Sequence, residues 1–178
     1  IKGLLRRPLH KPEVLLPVHV LGSDYGAWPV IKNSLSSDSK VYSFGVGLDI
    51  SFDLALISMF QCNVDSFDPT PRCLAWVETQ DTPAAFRFHP VGLSDKTQTL
   101  TFFAPPEDDF VSYTVAQRTD SSEKVALKVK ALDEIMMDLH DTAIDYLKMD
   151  IEGSEYPALA DMIQKDILPA QLCVEFHH

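Results

Sequence analysis

A short apolar segment at residues 41–49 ends in a glycine-rich turn, and this pattern narrows the possible folds of the chain. The segment reads as a strand and then a turn with Gly45 and Gly47, and residues 50–60 follow with helical spacing. Glycine has no Cβ, so the backbone can bend sharply there and come close to a ligand. A strand, a glycine turn and a helix in this order open most nucleotide-binding α/β sheets. An ordinary strand-to-helix turn has the same appearance, so the rest of the chain must separate the two interpretations.

The rest of the chain continues the alternation of strands and helices. Further strands are predicted at residues 64–67, 85–89, 144–149 and 172–176, and further helices at residues 71–79, 132–139 and 156–164. Such alternation is typical of a mostly parallel sheet with right-handed crossovers and helices on both faces. The sequence therefore predicts an α/β, Rossmann-like fold.

Three regions depart from this pattern. Residues 1–20 begin with four of the fifteen basic side chains, and we predict a solvated tail that leads into an edge segment. Residues 22–29 are predicted to be a loop. Residues 97–130 are predicted to be a β-rich insertion, with two β segments around a polar loop, within a Rossmann-like domain at residues 21–178.

Composition and charge argue against several classes of partner. The chain has 178 residues, 46% of them hydrophobic, which is typical of a globular domain. Its formal net charge of −11 opposes a general affinity for nucleic acid or anionic lipid. No apolar run reaches the roughly 18 residues that a membrane span needs. We expect no nucleic-acid partner, no stable membrane insertion and a cytoplasmic location, although the sequence opens with Ile1 and a targeting or anchor segment before it stays open.

The candidate site residues follow from the geometry of a doubly wound sheet, in which a ligand lies beyond the carboxyl ends of the strands. The residues predicted to lie there are Gly45, Gly47, Asp68, Gly92, Leu93, Ser94, Asp150, Glu152, Glu175 and His177. Asp68 follows the glycine turn by about twenty residues, where an acid accepts hydrogen bonds from both hydroxyls of an adenosine ribose. The alternative is that Asp68 only forms the turn before Pro69.

The residues beside the glycine turn distinguish between adenosine ligands. A dinucleotide fingerprint needs a third glycine, but this chain has Ile50 there, next to Asp49. A pyrophosphate at this helix start would meet the negative charges of Asp49 and Asp53. A ligand with a positive ammonium or sulfonium centre meets no such penalty. The residues therefore favour S-adenosylmethionine over NAD.

Six motifs together resemble those of the FkbM-like methyltransferases. They are YGxW at residues 25–28, SFGVG at 43–47 with SFD at 51–53, FDPTP at 67–71, PVGLS at 90–94, LKMDIEGSEY at 147–156 and VEFH at 174–177. The LKMDIEGSEY block is the most specific of them, and the glycine turn is the least. The resemblance implies a class I, Rossmann-like methyltransferase that depends on S-adenosylmethionine and acts most often on oxygen.

The resemblance also assigns cofactor contacts, position by position. Gly45 and Gly47 would pass under the methionine part of S-adenosylmethionine, and Asp68 would hold the ribose. The adenine would be bordered by Gly92, Leu93 and Ser94. These assignments agree with the positions expected from the order of strands and turns.

Three further positions in this comparison leave alternatives open. Tyr25 and Trp28 would cover the cofactor from the N-terminal side, or they anchor the core instead. Ser43 stands where many members of the family have an acid. Asp49 or Asp150 would then replace that acid at the methionine ammonium.

Asp150, Glu152 and His177 are the candidate catalytic residues. Methyl transfer needs an in-line approach of the acceptor, and the protein contributes orientation and a group that takes the acceptor's proton. Asp150, with a pKa raised by acidic neighbours, is one candidate base and His177 is the second. One alternative is that Glu152 and Glu155 only form the N-terminal cap region of the next helix. The other is that Asp150, Glu152 and His177 bind magnesium or manganese. Nothing in the spacing requires a metal, and we predict none.

The sequence thus predicts a methyltransferase whose acceptor is a hydroxyl of a small molecule or sugar. One alternative is a NAD-dependent oxidoreductase, which Asp49 and the missing third glycine disfavour. The other is a cofactor-binding or interaction module without turnover, because class I methyltransferase folds usually continue into a final β-hairpin and this sequence stops at His178. We expect a fragment, or a second chain, as in a homo-oligomer, that completes the sheet edge.

Overall fold

The computed structural model describes residues 13–103 and 124–177. The elements are β1 (Val18–Leu21), β2 (Trp28–Ile31), β3 (Val41–Phe44), α1 (Ser51–Phe60), β4 (Val64–Phe67), α2 (Pro71–Val77), β5 (Phe86–His89), β6 (Gly92–Leu93), β7 (Gln98–Phe103), β8 (Lys124–Lys130), α3 (Leu132–Asp138), β9 (Tyr146–Met149), α4 (Glu155–Gln164) and β10 (Leu172–Val174). The predicted basic tail, at residues 1–12, and the polar loop, at residues 104–123, lie outside the described residues.

The central sheet has five parallel strands in the order β10-β9-β3-β4-β5. From β3 the chain first builds β4 and β5 on one side, and later β9 and β10 on the other. The strand order therefore reverses between β3 and β9. A crevice opens at such a point, beyond the carboxyl ends of the strands, because the connections on the two sides lead away from each other.

Helices cover both faces of this sheet. Tyr42 and Phe44 of β3 pack in one cluster with residues of α3 and α4, whereas Val41 packs in another with residues of α1. This division follows from the alternation of side chains along a strand. β3, β4 and β9 are buried along their whole length, as expected for parallel strands that are covered on both faces. The predicted Rossmann-like fold is therefore confirmed.

The helices on either side of β4 begin where local chemistry favours a start. The amide of Ser51, the first residue of α1, donates to Asp49 Oδ1 at 2.8 Å. Pro71 opens α2, where its missing amide proton has no helical partner to lose. The hydroxyl of Thr70 accepts from the amide of Cys73 at 3.4 Å and caps that helix.

Some boundaries differ from those predicted. Residues 22–29 are predicted as a loop, yet Trp28 and Pro29 begin β2, which pairs antiparallel with β1 in a separate two-stranded sheet. Proline has no amide proton, but a strand with one paired side tolerates it. Residues 92–93, for which the sequence analysis gives no strand, form β6 beside β8. The last strand ends at Val174, so Glu175 and His177 lie beyond it.

The two β segments predicted within residues 97–130 are β7 and β8, which pair antiparallel and form a three-stranded sheet in the order β6-β8-β7. β10 lies at one edge of the central sheet, and among the described residues it pairs only with β9. Within residues 13–103 and 124–177, no helix has both the length and the apolar character needed to cross a membrane.

Candidate functional site

A cleft of about 1000 Å³ lies at the reversal of strand order, beyond the carboxyl ends of the central strands. Among the predicted site residues, those that line it are Tyr25, Trp28, Gly45, Gly47, Asp49, Asp68, Gly92, Leu93, Asp150, Glu152, Glu175 and His177. Ser94 is not part of the lining. It is buried beside the cleft, and its hydroxyl donates to Asp95 Oδ1 at 3.1 Å.

Glycine occupies the two positions of the turn for different structural reasons. Gly45 has φ of 82°, and a Cβ at this position would lie 1.7 Å from the carbonyl oxygen of Asp150. Gly47 has φ of 59°, and a Cβ there would have no heavy atom within 4 Å. Gly45 is therefore required because the ends of β3 and β9 come together. Gly47 lines the cleft and leaves open space above its backbone.

Asp68 joins the end of β4 to the glycine turn and to the start of α2. Its Oδ2 accepts from the amide of Gly47 at 3.0 Å, and its Oδ1 accepts from the amide and the hydroxyl of Thr70 at 2.9 and 2.6 Å. The thiol of Cys73 also forms a hydrogen bond with this carboxyl group, which lines the cleft. The turn-forming role of Asp68 is therefore present, and it is compatible with a ribose contact.

Asp49 connects the loop before β2 to the glycine turn through hydrogen bonds. The hydroxyl of Ser23 donates to Asp49 Oδ2 at 2.5 Å, and the amide of Ser51 donates to Oδ1. A Cβ on Gly26 would lie 2.7 Å from Asp49 Oδ2, so this loop packs tightly against the carboxylate. Burial favours the neutral acid, but the hydrogen bonds from Ser23 and Ser51 outweigh it and lower the pKa of Asp49. Asp49 therefore keeps its negative charge at the start of α1.

Lys148 is a site residue that the sequence analysis missed. It is 6% exposed in β9, and its Nζ donates to the carbonyl oxygens of Gly45 at 2.6 Å and Phe44 at 3.3 Å. The Nζ also lies 5.2 Å from the centroid of the Trp28 ring, within range of a cation–π contact. A lysine between the buried Leu147 and Met149 was the available signal, because apolar residues fill the rest of such a strand.

Trp28 and Tyr25 occupy different depths of the cleft. Trp28 begins β2 and packs against the cluster that contains Phe52 and Tyr146. Tyr25 lies at the cleft and is 75% exposed. Trp28 thus helps to anchor the core and also lines the cleft, and its contact with a cofactor stays a prediction.

Asp53 is a second such site residue. In the sequence analysis it appears only as a negative charge that would repel a pyrophosphate. Its side chain is buried on α1, lines the cleft and accepts from the hydroxyl of Ser66 at 2.7 Å. Burial raises the pKa of Asp53, against the opposing effect of Lys148. Asp53 therefore joins Asp49 and Asp150 as a candidate for the acid that is absent at Ser43.

His177 lies among three carboxylates at the edge of the cleft. Its Nε2 is 3.7 Å from Asp150 Oδ1 and 3.6 Å from Glu152 Oε2. Its Nδ1 is 2.9 Å from Oε1 of the fully buried Glu155, which also accepts from the amide of Gly153. A carboxylate only accepts hydrogen bonds, so Nδ1–H donates to Glu155 and Nε2 faces Asp150 and Glu152. Glu155, which the sequence suggested only as a helix-start acid, therefore orients the histidine.

Two groups of this cluster have a pKa that their surroundings raise. Burial raises the pKa of Asp150 to about 6, with further contributions from Glu175 and Glu152 against that of Lys148. Burial alone would lower the pKa of His177, but the hydrogen bond to Glu155 and the neighbouring carboxylates raise it above its ordinary value. Because Asp150 and His177 interact, they titrate as a pair.

The same cluster keeps the metal alternative open. Asp150, Glu152 and His177 each offer one ligand atom, and these atoms lie within 4.8 Å of one another. Acidic groups at a surface are often this close without a cation. The arrangement is compatible both with proton transfer and with a divalent ion.

Negative charge dominates the cleft. Among the described residues that line it, the acidic side chains are Asp49, Asp53, Asp68, Asp150, Glu152 and Glu175. Lys148 and His177 are the basic side chains of the same lining. The site therefore attracts cationic groups and repels polyanions.

Comparison with known proteins identifies the family. The profile of the methyltransferase FkbM domain matches residues 29–178, which is most of the chain. The matched range contains the glycine turn, Asp68 and the cluster around His177, all at the mouth of one cleft. Comparisons with curated proteins and with solved structures give no match. The match to the profile shows that the chain belongs to the methyltransferase FkbM domain family.

Proposed function

We propose that the cleft binds S-adenosylmethionine and that the protein methylates a hydroxyl of a small molecule or sugar. The observation that carries the proposal is the charge of the cleft, where six carboxylates face Lys148 and His177. A sulfonium and an ammonium are attracted to such a site, whereas the pyrophosphate of NAD would be repelled. Family membership supports the transfer of a methyl group.

The residues around Asp68 fit the adenosine part of this cofactor. Asp68 lines the cleft beside its bonds to Gly47 and Thr70, where its carboxyl oxygens would accept from a ribose hydroxyl. The open space above Gly47 lets a ligand approach the backbone. Gly92 and Leu93 line the same cleft and would border the adenine. When bound, S-adenosylmethionine supplies an electrophilic methyl group.

Asp150 and His177 would accept the proton of the hydroxyl. Glu155 fixes the ring through Nδ1 and stabilises its protonated form, so Nε2 is the nitrogen that takes a proton from a substrate. Asp150, with a pKa of about 6, is mostly ionised at pH 7.5 and shares this role. The two groups act as a coupled acceptor, and the acceptor hydroxyl would lie beside them.

Calorimetric titration with S-adenosylhomocysteine and with NAD tests the cofactor. We expect the wild type to bind S-adenosylhomocysteine and not NAD. Asp68→Asn should weaken that binding about 10- to 100-fold, the effect of losing a charged hydrogen bond. The matched control is Asp138→Asn, since Asp138 is exposed on α3 in an ion pair with Lys130, and its affinity should not change. Binding of NAD without S-adenosylhomocysteine would overturn the proposal in favour of an oxidoreductase.

A second experiment separates an enzyme from a binding module. Methyl transfer from labelled S-adenosylmethionine is measured against a panel of sugars and hydroxylated small molecules. Glu155→Gln and His177→Gln should lower kcat at least tenfold, as expected for loss of a general base, and leave the affinity for S-adenosylhomocysteine within about threefold. Tight binding with no transfer to any hydroxyl in the panel would indicate a module without turnover.

A further inference from the structure

We propose that Lys148 binds the carboxylate of the methionine part of S-adenosylmethionine and so sets the orientation of the cofactor. This inference rests on the proposed function, because it concerns the same cleft. It assigns a role to the one buried ammonium group in the lining of the cleft, as far as the structure describes the chain.

The charge of Lys148 has no direct counter-ion within the described residues. Its Nζ donates to two neutral carbonyl oxygens, those of Gly45 and Phe44. No carboxylate oxygen of residues 13–103 and 124–177 lies within 4.0 Å of the Nζ. A buried charge is costly unless it is paired, and an ammonium group has three donors. One donor of Lys148 and its charge are therefore left for an anionic group of a ligand.

The other charges of the cleft exclude competing positions for that anion. The methionine part of the cofactor carries an ammonium and a carboxylate. Six acidic side chains of the lining would repel the carboxylate. His177 offers a positive charge, but Asp150, Glu152 and Glu155 already surround its ring. Lys148 is the only lysine or arginine in the lining that the structure describes.

The position of the Nζ matches the part of the cleft assigned to methionine. It lies at the carbonyl of Gly45, where the glycine turn begins, and beside the ring of Trp28. A carboxylate bound there would lie between the glycine turn and Trp28. The competing explanation is that Lys148 only offsets the charges of Asp49 and Asp53, with no contact to a ligand.

Two ligands that differ only in the carboxylate distinguish these explanations. Calorimetric titration compares S-adenosylhomocysteine with its decarboxylated analogue, which keeps the adenosine, the thioether and the amine. The wild type should bind S-adenosylhomocysteine about 10- to 100-fold more tightly than the analogue, the range of a charged hydrogen bond. In Lys148→Met the ratio should fall to threefold or less, mainly through weaker binding of S-adenosylhomocysteine.

Two further variants complete the test. Lys165→Met is the matched control, because Lys165 pairs with Asp133 and Asp161 outside the cleft, and it should keep the wild-type ratio. Lys148→Gln keeps a donor for the carbonyl oxygens without the charge, and it should lose the preference as Lys148→Met does. It also provides the result if Lys148→Met does not fold.

Each outcome separates this inference from the proposed function. The role of Lys148 would be refuted if the wild type bound both ligands equally well. It would also be refuted if a folded Lys148 variant kept the preference of the wild type for S-adenosylhomocysteine. In both cases, binding of S-adenosylhomocysteine would still support the cofactor. A wild type that binds neither ligand would refute the proposed function itself.

Discussion

Replacement of each turn glycine by alanine tests why glycine is needed at position 45 and at position 47. Gly45→Ala places a Cβ 1.7 Å from the carbonyl oxygen of Asp150, in a backbone with φ of 82°. Gly47→Ala places a Cβ in open space, with φ of 59°. Both variants add the same methyl group to the same turn, so they form a matched pair.

The magnitudes follow from these contacts. An alanine in the left-handed region costs about 1–2 kcal/mol, and that is the whole cost expected for Gly47→Ala. Gly45→Ala adds the cost of overpacking, about 1–3 kcal/mol or more, because the overlapping atom belongs to the backbone of Asp150 and cannot rotate away. The total for Gly45→Ala is therefore about 2–5 kcal/mol, a large part of the stability of a typical domain.

Urea unfolding, followed by circular dichroism, measures both free energies of unfolding. Because 1 kcal/mol shifts Tm by about 2–4 °C in a domain of this size, Gly45→Ala should also lower Tm by roughly 4–20 °C. Equal losses for the two variants would refute the explanation of Gly45 by the close approach of β3 and β9. A loss confined to ligand affinity in Gly45→Ala would refute it too, because it would make Gly45 only a contact of the cofactor.

Three further predictions concern charge and metal. The pKa of Asp150 is about 6 in the folded chain against an ordinary 3.8, so the folded state binds more protons and stability falls as the pH rises from about 4 to 6. Asp150→Asn should remove that fall when the free energy of unfolding is measured in urea across this pH range. An unchanged dependence on pH would contradict the raised pKa of Asp150. Asp65→Asn removes a buried carboxylate that pairs with Arg87 and His89, and it should lower the free energy of unfolding by about 1–3 kcal/mol. The exposed Asp138→Asn should lower it by at most about 1 kcal/mol. Equal costs in urea unfolding would show that burial of Asp65 adds nothing. Methyl transfer should be unchanged in EDTA, and an activity that chelation abolishes and magnesium or manganese restores would establish a metal site.

The sequence predicted the central sheet well because its strands are buried on both faces. Such strands are short apolar runs between turn residues, and β4 was predicted with the bounds that the structure has, Val64–Phe67. β2 was missed because Pro29 interrupts a run of four residues and its pairing with β1 is visible only in three dimensions. The same holds for β6, whose two residues become a strand through their neighbour β8.

The site was predictable where position along a strand decides it. Asp68, Asp150 and His177 follow parallel strands, and the carboxyl ends of such strands meet at one edge of the sheet. Contacts between residues that are far apart in the sequence were not predictable. The hydrogen bond between His177 and Glu155 joins residues that are 22 positions apart, and the one between Lys148 and Gly45 joins residues that are 103 positions apart.

The LKMDIEGSEY block carries several parts of the site because its backbone changes direction within a few residues. Lys148 is still in β9 and extends to the end of β3, whereas Asp150 lies past the strand, against Gly45. Glu152 and Gly153 then take φ of 54° and 109°, in the left-handed region. This reversal turns Glu155 back to accept from the amide of Gly153 and to hold His177.

A non-glycine residue in the left-handed region is strained, and such strain persists where the surrounding structure fixes it. Glu152 is such a residue, and the amides on both sides of it, those of Ile151 and Gly153, donate to the buried carboxylate of Glu155. The hydrogen bonds of Glu155 thus hold the backbone turn and the ring of His177 at the same time. One reversal of the chain therefore brings together Lys148, Asp150 and the carboxylate that orients the histidine.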